Sequence, residues 1–585
     1  MTDPSSSSAT FYDTALAAYQ AGDLGTARAA LDRALAGDPG SAPALHLSSA
    51  LCLARGDFTG AVAAARQAAA TAPKDLGIQN GLALALHAAG QSDEALTRLR
   101  ALADDHPETP EPLANMAMVY SDSGRWTDAL AAADAALRLE PRHPAALNNK
   151  AAVLQKIGAI ESARDCLTSA LAAHPDHPDL IRNMLTVIHY DPRATHQDIF
   201  DITRANWAVQ PKPPAAARAV PASPQSGPLH VGFLSPDFRS HPVGRFLQPV
   251  LAGLDKARFR VTLYANQTEE DEVTRDLKQH ASAWIPVKHL SDADAASRIA
   301  ADGVDLLIEL AGFSDNHRLG VMRRKPAPVQ ASWLGYVATT GLPEVDYVIA
   351  DRYVWPERDD AYFVEQPMRL PDSYICFQPP SQKVAVGPPP MTRNGFVTFG
   401  SLNNTVKLNS VCLAEWGRIL ASVPGSKLLL KAHQLSDARV ISQLVSMCDQ
   451  AGISGDRLIL LGRTSREDHL AAYNQVDLVL DPFPYGGGLT TAEALWMGVP
   501  VVTIAGDRWV ARAGVSILST VGLPQLIAAN PEDYRNLAVG LAGNAGELAS
   551  LRMTLRPVVE SSPLSNTRRY VRDVEQTFLK MTERA

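Results

Sequence analysis

Residues 481–498 read DPFPYGGGLTTAEALWMG. The apolar run VDLVL ends at this point. Gly486, Gly487 and Gly488 follow, and a helix-period segment opens on Thr490 and Thr491. Glycine costs backbone entropy and is retained where a chain must turn tightly or lie close to something. Bare N–H groups leading into a helix N-terminus suit an anion, phosphate above all. A tight turn that binds nothing uses the same residues, so the surroundings must decide.

Those surroundings alternate. Upstream lie the short β-rich runs LHVGFLS, FRVTLYAN, VDLLIELAG, VQASWLG and VDYVIAD, separated by helix-period segments. A second set, GFVTFGSL, SKLLLKA, DRLILLG, VDLVLDPFP and PVVTIAG, starts near Gly395. Such βαβ alternation predicts two doubly wound domains, over 229–385 and 386–585, whose strand C-termini face a shared cleft. The proline-rich DSYICFQPPSQKVAVGPPPMTRN reads as the crossing between them. The glycines then fall on a ligand-binding edge, which favours phosphate.

The first third has another period. Gly22, Gly56, Gly90, Gly124 and Gly158 recur every 34 residues. Five residues after each comes Ala27, Ala61, Ala95, Ala129 or Ala163, and seventeen after each comes Pro39, Pro73, Pro107, Pro141 or Pro175. This resembles the tetratricopeptide repeat. The glycine turns the chain between two helices, the alanine lets them approach, and the proline ends the unit. One hairpin cannot bury its apolar face alone, so an α-solenoid over residues 1–180 is expected, with a groove for an extended acceptor protein. Asn115, Asn148 and Asn149 sit where first helices face that groove, either to hold a peptide backbone or as solvated residues. Residues 181–228 contain connecting helices and VQPKPPAAARAVPASPQSGP, a linker or extended surface crossing. On this reading the array folds independently of the two α/β domains.

Composition narrows the classes. Of 585 residues, 46% are hydrophobic and 20% charged, which is ordinary globular usage. The net charge of −8 provides no basic footprint for nucleic acid. Cys52, Cys166, Cys376, Cys412 and Cys448 are far apart, with neither zinc spacing nor a disulfide framework. No segment has the length and apolarity of a membrane span, and MTDPSSSSAT is no secretory signal. A reducing, cytoplasmic location is expected.

The segments VGFLSPDFRSHPVGRFL, RKPAPVQASWLGYVATTG, FGSLNNTVKLN, DPFPYGGGLTTAEALWMGVPVVTIAG and SSPLSNTRRYVRDVEQTF, in this order behind the repeats, resemble the O-GlcNAc transferase/SPINDLY family. The resemblance implies a GT-B fold of two Rossmann-like domains with a closing C-terminal helix. It implies metal-independent transfer of a sugar from a nucleotide sugar, a co-substrate rather than a cofactor, to Ser or Thr of a protein. Lys407 matches the family's essential lysine and would neutralise the departing phosphate. Asn404 matches the neighbouring glutamine. Gly487, Gly488, Thr490 and Thr491 form the phosphate loop, and Glu493 matches an acid for the ribose hydroxyls. His241 matches the histidine at the donor–acceptor junction, and His469 matches a second histidine, on the base side. Gln330 and Tyr336 match the acceptor-side face of the first domain.

Two departures bear on the donor. Gly488-Leu489-Thr490 stands where the family has His-Thr-Thr, and Ala472 stands at an arginine that closes on uracil in the animal enzymes. UDP-GlcNAc, GDP-fucose and a CMP-linked nonulosonic acid therefore remain open. The alanine-rich composition looks bacterial and suggests flagellin as acceptor. The rival readings are a non-enzymatic repeat scaffold on a degenerate transferase fold and a GT-B enzyme acting on glycans or small molecules. Asp292 and Asp294 form a D-x-D, but at a helix start, where aspartate caps and complements the dipole, so no metal is expected there.

Overall fold

The structure, a computed structural model, describes residues 4–20, 23–216 and 227–583. Gly22 and residues 217–226 of the proline-rich segment lie outside the described residues. Among the described residues twelve helices come first, from Pro4–Gln20 to His196–Ala208. Gly56, Gly90, Gly124 and Gly158 occupy the turns inside successive helix pairs with φ of 76, 78, 69 and 85°, a region where a side chain would be strained. Ala61, Ala95, Ala129 and Ala163 are fully buried on the second helices, and the periodic prolines sit in the turns after them. The array is the helical solenoid its period predicts.

The groove-side asparagines bond from repeat to repeat. Asn115 Nδ2 donates to Asn80 Oδ1 at 3.0 Å, and Asn149 Nδ2 to the Ala114 carbonyl at 2.9 Å. Asn183 Nδ2 donates to the Asn148 carbonyl at 3.2 Å. They are half-buried stitches between first helices, not freely solvated groups.

Two parallel sheets come next. The first contains β1 (Leu229–Ser235), β2 (Phe259–Ala265), β3 (Ala283–Pro286), β4 (Leu306–Glu309), β5 (Val329–Ser332), β6 (Tyr347–Asp351) and β7 (Gln366–Leu370). Their order is β3-β2-β1-β4-β5-β6-β7. The second contains β8 (Thr398–Ser401), β9 (Lys427–Lys431), β10 (Leu458–Leu461), β11 (Leu478–Leu480), β12 (Val501–Ile504) and β13 (Ile527–Ala528), in the order β10-β9-β8-β11-β12-β13. Each order reverses once, between β1 and β4 and between β8 and β11. The crevice outside the strand C-termini at such a point is where ligands bind. Short β3, β7 and β13 are absent from the periodicity reading because they are sheet-edge segments of two to five residues.

Two boundaries differ from those expected. The last helix, Thr567–Glu583, leaves the second domain and packs on the first. Phe578 is buried against Phe233, Phe259 and Trp333, and the Tyr570 hydroxyl donates to the Tyr374 carbonyl at 2.6 Å. The array also does not end in a core of its own. Leu147, Ile160, Leu167, Leu180 and Leu185 share one buried cluster with Leu234, Tyr264, Ile299 and Leu319 of the first domain. The segment after Ala208 is pinned as well: Arg323 donates to the Trp207, Gln210 and Pro211 carbonyls, and Ala216 N–H to the Arg324 carbonyl at 2.8 Å. Independent folding of residues 1–180 is therefore corrected, because a cut there divides a core.

This shared core makes a measurable demand. Leu180→Ala should cost about 2–5 kcal/mol, as for a buried leucine left as a cavity. Chemical denaturation followed by far-UV and tryptophan signals should show the array and first domain losing stability together; a shift confined to one signal would separate them.

Candidate active site

The glycine loop is built on Asp481. This carboxylate ends β11 at 1% exposure, accepting the Gly487 N–H at 2.7 Å and the Thr503 hydroxyl at 2.8 Å. Burial lifts its pKa to about 6 against the pull of those bonds and of Lys407. A Cβ on Gly487 would lie 2.5 Å from Thr491 Oγ1, 2.7 Å from Thr490 Oγ1 and 2.9 Å from Asp481 Oδ1. One on Gly486 would meet Asp481 Oδ2 at 3.0 Å, whereas one on Gly488 would meet nothing within 4 Å. Two glycines thus permit packing, and the third leaves open the N-terminus of helix Leu489–Trp496, which carries no side-chain cap. Thr490 Oγ1 donates to Asn403 Oδ1 at 3.0 Å. Thr491 Oγ1 is buried with no hydrogen-bond partner, a condition a bound ligand would relieve.

Lys407 comes to this loop from the exit of β8. Its ammonium donates to the Gly486 carbonyl at 2.7 Å and to Asn403 Oδ1 at 3.4 Å, and lies 4.5 Å from the centroid of the Tyr485 ring. Burial lowers its pKa to about 8, opposed by the charge of Asp481. Asn404 caps the short turn Thr405–Lys407, its Oδ1 accepting the Val406 N–H at 3.0 Å and the Gln434 amide.

Beside the loop is a cavity of about 360 Å³. Asn403, Asn404, Lys431, His433, Arg463, Arg466 and His469 line it from the exits of β8, β9 and β10, and Ser240 and Arg245 line it from the first domain. None of its lining side chains is acidic. Glu493 lies beneath at 1% exposure, one oxygen taken by Arg466 and the other 3.5 Å from His469 Nε2. Burial raises its pKa, but His469 and Arg466 together hold it below the ordinary carboxylate value. Glu493 thereby orients two residues of the cavity wall. His469 lines the cavity beside Arg466. Ala472, at 3% exposure, is buried and does not line the cavity; Arg245, Arg463 and Arg466 supply the guanidinium groups there.

From the first domain, His241 caps helix Pro242–Gly253, next to the cavity residue Ser240. Its Nδ1 is 3.6 Å from Asp237 Oδ2. Burial lowers the imidazole pKa against the pull of Asp237, favouring the neutral ring. Gln330 does not reach the cleft. It is fully buried in β5, its amide donating to the Met322 and Glu344 carbonyls at 2.8 and 2.7 Å, so the acceptor-side role is withdrawn. Tyr336 lines a second cavity, of about 230 Å³, with Phe313, Tyr190 and Tyr485. Its hydroxyl is 2.8 Å from His189 Nε2. Asp292 is engaged by Arg318, and Asp294 by Ser291 at 2.8 Å. Among the described residues no group of three or more His, Cys, Asp or Glu is placed to hold a metal ion.

Sequence reasoning missed Asn403, Tyr485, Arg466 and Arg245. Asn403 and Tyr485 adjoin motif residues and were within reach of that reasoning. Arg245 lies in a quoted segment and Arg466 three residues before His469, but their meeting at one cavity depends on how the two domains face each other.

Gly487→Ala should leave the fold in place and weaken nucleoside diphosphate binding by more than about 10-fold, since the new methyl displaces the hydroxyls of Thr490 and Thr491 by steric overlap. Isothermal titration calorimetry checks it, with Gly488→Ala, which meets no protein atom, as the milder comparison.

Three kinds of similarity bear on this geometry. The family model described as "Glycosyl transferase family 41" matches residues 209–378 and 391–574, and tetratricopeptide repeat models match 12–75, 52–118 and 120–187. The chain is 39% identical over 365 residues to the "Probable UDP-N-acetylglucosamine--peptide N-acetylglucosaminyltransferase SPINDLY" of Petunia hybrida, covering 61% of this chain and 39% of that protein. It is 26% identical over 365 residues to the corresponding SEC protein of Arabidopsis thaliana, covering 60% of this chain and 37% of that one. The chain thus spans about two fifths of the length of these curated relatives. A solved structure of a mutant Thermobaculum terrenum O-GlcNAc transferase superposes with a TM-score of 0.76 at 30% identity, covering 87% of this chain and 97% of that one. A family model matching more than half the chain, on a fold whose strand-order reversals meet at a lysine and a glycine loop, leads to one conclusion: this protein belongs to glycosyl transferase family 41.

Proposed function

We propose that the protein transfers a sugar from a nucleotide-sugar donor to Ser or Thr hydroxyls of an acceptor protein, without a metal ion. One observation carries this reading. The Lys407 ammonium bonds the glycine loop at the Gly486 carbonyl, and the same loop leads into the uncapped helix N-terminus at Gly488 and the unpartnered Thr491 hydroxyl. As the bond from the sugar to the diphosphate breaks, negative charge grows on the leaving oxygen. A preorganised cation in a water-poor site is most effective there. Two of the three ammonium donors are engaged, which leaves one for a phosphate oxygen. The nucleoside half fits the 360 Å³ cavity. His241, neutral and on the first-domain side, suits the donor–acceptor junction.

The relatives' names support UDP-GlcNAc as donor. The cationic lining favours a diphosphate donor, UDP- or GDP-linked, over a CMP-linked one. The altered residues at Gly488-Leu489-Thr490 are what a degenerate scaffold would rest on; the buried Lys407 at the glycine loop and the uncapped helix N-terminus support the enzyme reading against it. The acceptor would lie along the stitched groove of the array as an extended segment, and flagellin is a candidate on composition alone. No helix among the described residues is long and apolar enough to cross a membrane. The five unpaired cysteines support a reducing, cytoplasmic setting.

Lys407→Met should lower transfer by about 10²–10³, the scale for one lost charge-stabilising group, with unchanged thermal unfolding. Full activity in the folded variant removes Lys407 from the mechanism. Because burial depresses the lysine to about 8, it is charged below that pH and neutral above it. The kcat/KM for wild type should therefore fall as pH rises through about 8, a limb that reports the free enzyme. A panel of UDP, GDP and CMP sugars, tested for thermal stabilisation and for transfer with and without EDTA, identifies the donor. An EDTA loss restored by Mn²⁺ would overturn the metal-free reading.

A further inference from the structure

The turn that leaves the array, residues 188–191, touches every part of the molecule. Arg508 of the second domain donates to the Asp191 carbonyl at 3.2 Å and to the Ile188 carbonyl at 3.5 Å. His189 Nε2 meets the Tyr336 hydroxyl of the first domain at 2.8 Å. The buried Asp191 carboxylate pairs with Arg193 at 2.7 Å and with Arg164, on the last repeat's second helix, at 3.4 Å. Between these anchors Tyr190 stacks on Tyr485, with ring centroids 4.9 Å apart and planes at 20°. The Tyr485 ring is the one over which the Lys407 ammonium sits, 4.5 Å from its centroid.

A lysine ammonium is a point charge on a flexible stem, and hydrogen bonds to two neutral oxygens do not fix its direction strongly. No carboxylate among the described residues contacts it: Asp481 acts only through space, its oxygens committed to Gly487 and Thr503. The aromatic face is therefore the remaining determinant of where the cation points. No hydrogen bond from the described residues holds the Tyr485 hydroxyl, so packing sets that ring's plane, and the stacked partner is Tyr190.

We propose that Tyr190 is a positioning residue for Lys407: its stack on Tyr485 fixes the aromatic face that carries the ammonium, so the seating of the repeat array sets the aim of the cation. This rests on the reading of Lys407 as the residue that meets the donor diphosphate. It follows that an acceptor bound in the groove and the donor in the cleft are coupled through one pair of rings. The groups around the ammonium are Asp481 from the end of β11, Tyr485 from the loop and Tyr190 from the array turn. Of these, Asp481 titrates near 6 and the two phenols titrate well above the physiological range.

The test uses the full chain and calorimetric binding of UDP and GDP across pH, with thermal unfolding as a control. Tyr190→Ala should weaken nucleotide binding by about 5–30-fold, the span of a partly to fully desolvated cation–π contact. It should also move the alkaline limb of binding to higher pH, because water reaches the ammonium. Tyr190→Phe, which keeps the ring, should match wild type. Tyr485→Leu should weaken binding alike, and Tyr190→Ala added to it should cost less than about 2-fold more if the two act in series. Unchanged binding and an unchanged limb in folded Tyr190→Ala overturn the proposal. So does an additive double variant, or a Tyr190→Phe as damaging as alanine. If Tyr190→Ala does not fold, Tyr190→Leu, apolar but without a ring, takes its place under the same criteria. A wild-type chain that binds neither nucleotide sinks the donor reading instead. The coupling is then read from the pH dependence of Lys407 acetylation by acetic anhydride, which needs the free amine: Tyr190→Ala should move its midpoint to higher pH and Tyr190→Phe should not; equal midpoints in all three overturn it.

Discussion

Asp481 is a carboxylate almost without water, and the cleft is arranged to answer it. Desolvation of that charge is costly unless hydrogen bonds and a nearby cation compensate. The Gly487 N–H, the Thr503 hydroxyl and, through space, Lys407 do so. The Tyr534 hydroxyl donates to its carbonyl at 3.0 Å. Close packing around it excludes side chains at Gly487 and at Gly514, where a Cβ would come within 2.8 Å of Asp481 Oδ2. The loop shape results from that demand, and the loop in turn presents Gly488, Thr490 and Thr491. The shape of the glycine loop is thus a consequence of how one buried acid is satisfied.

The second constraint joins the array to the transferase. Repeat solenoids bury each unit on its neighbours, and a terminal unit must find another surface or present a polar cap. Here the terminal apolar face finds the first domain, through Leu180 and Leu185 against Leu234 and Ile299. Polar contacts reach the second domain too: the Glu161 carboxylate accepts the Ser410 hydroxyl at 2.7 Å, and Arg439 lies 4.9 Å from the Trp126 ring. The array is rigidly related to the catalytic cleft on this side, which is what lets Tyr190 stand beside Tyr485.

Much of the site was legible because its residues cluster in sequence. Lys407, Asn404, Thr490, Thr491 and the glycines come after two strands whose C-termini the alternation already placed together, and the structure gathers them there. The partners of Gln330 and Glu493 were not legible in the same way. Each belongs to a recognisable segment, yet its role depends on which groups take its hydrogen bonds, and those come from elsewhere in the chain. Gln330 is taken by the Met322 and Glu344 carbonyls, and Glu493 by Arg466 and His469.

The sequence by itself determined the helical array, through a 34-residue period whose glycines must turn and whose alanines must be small. It also determined the paired parallel sheets, through β-rich runs alternating with helical ones, and the glycine loop between a strand and a helix. These are local features, set by backbone conformation and side-chain size within one or two elements. Only the tertiary structure decided that the array shares a core with the first domain, that the last helix crosses back to it, and that Tyr190 reaches the ring beneath Lys407. Those outcomes depend on which apolar faces meet across more than a hundred residues, and apolar periodicity specifies that a face is buried without specifying its partner.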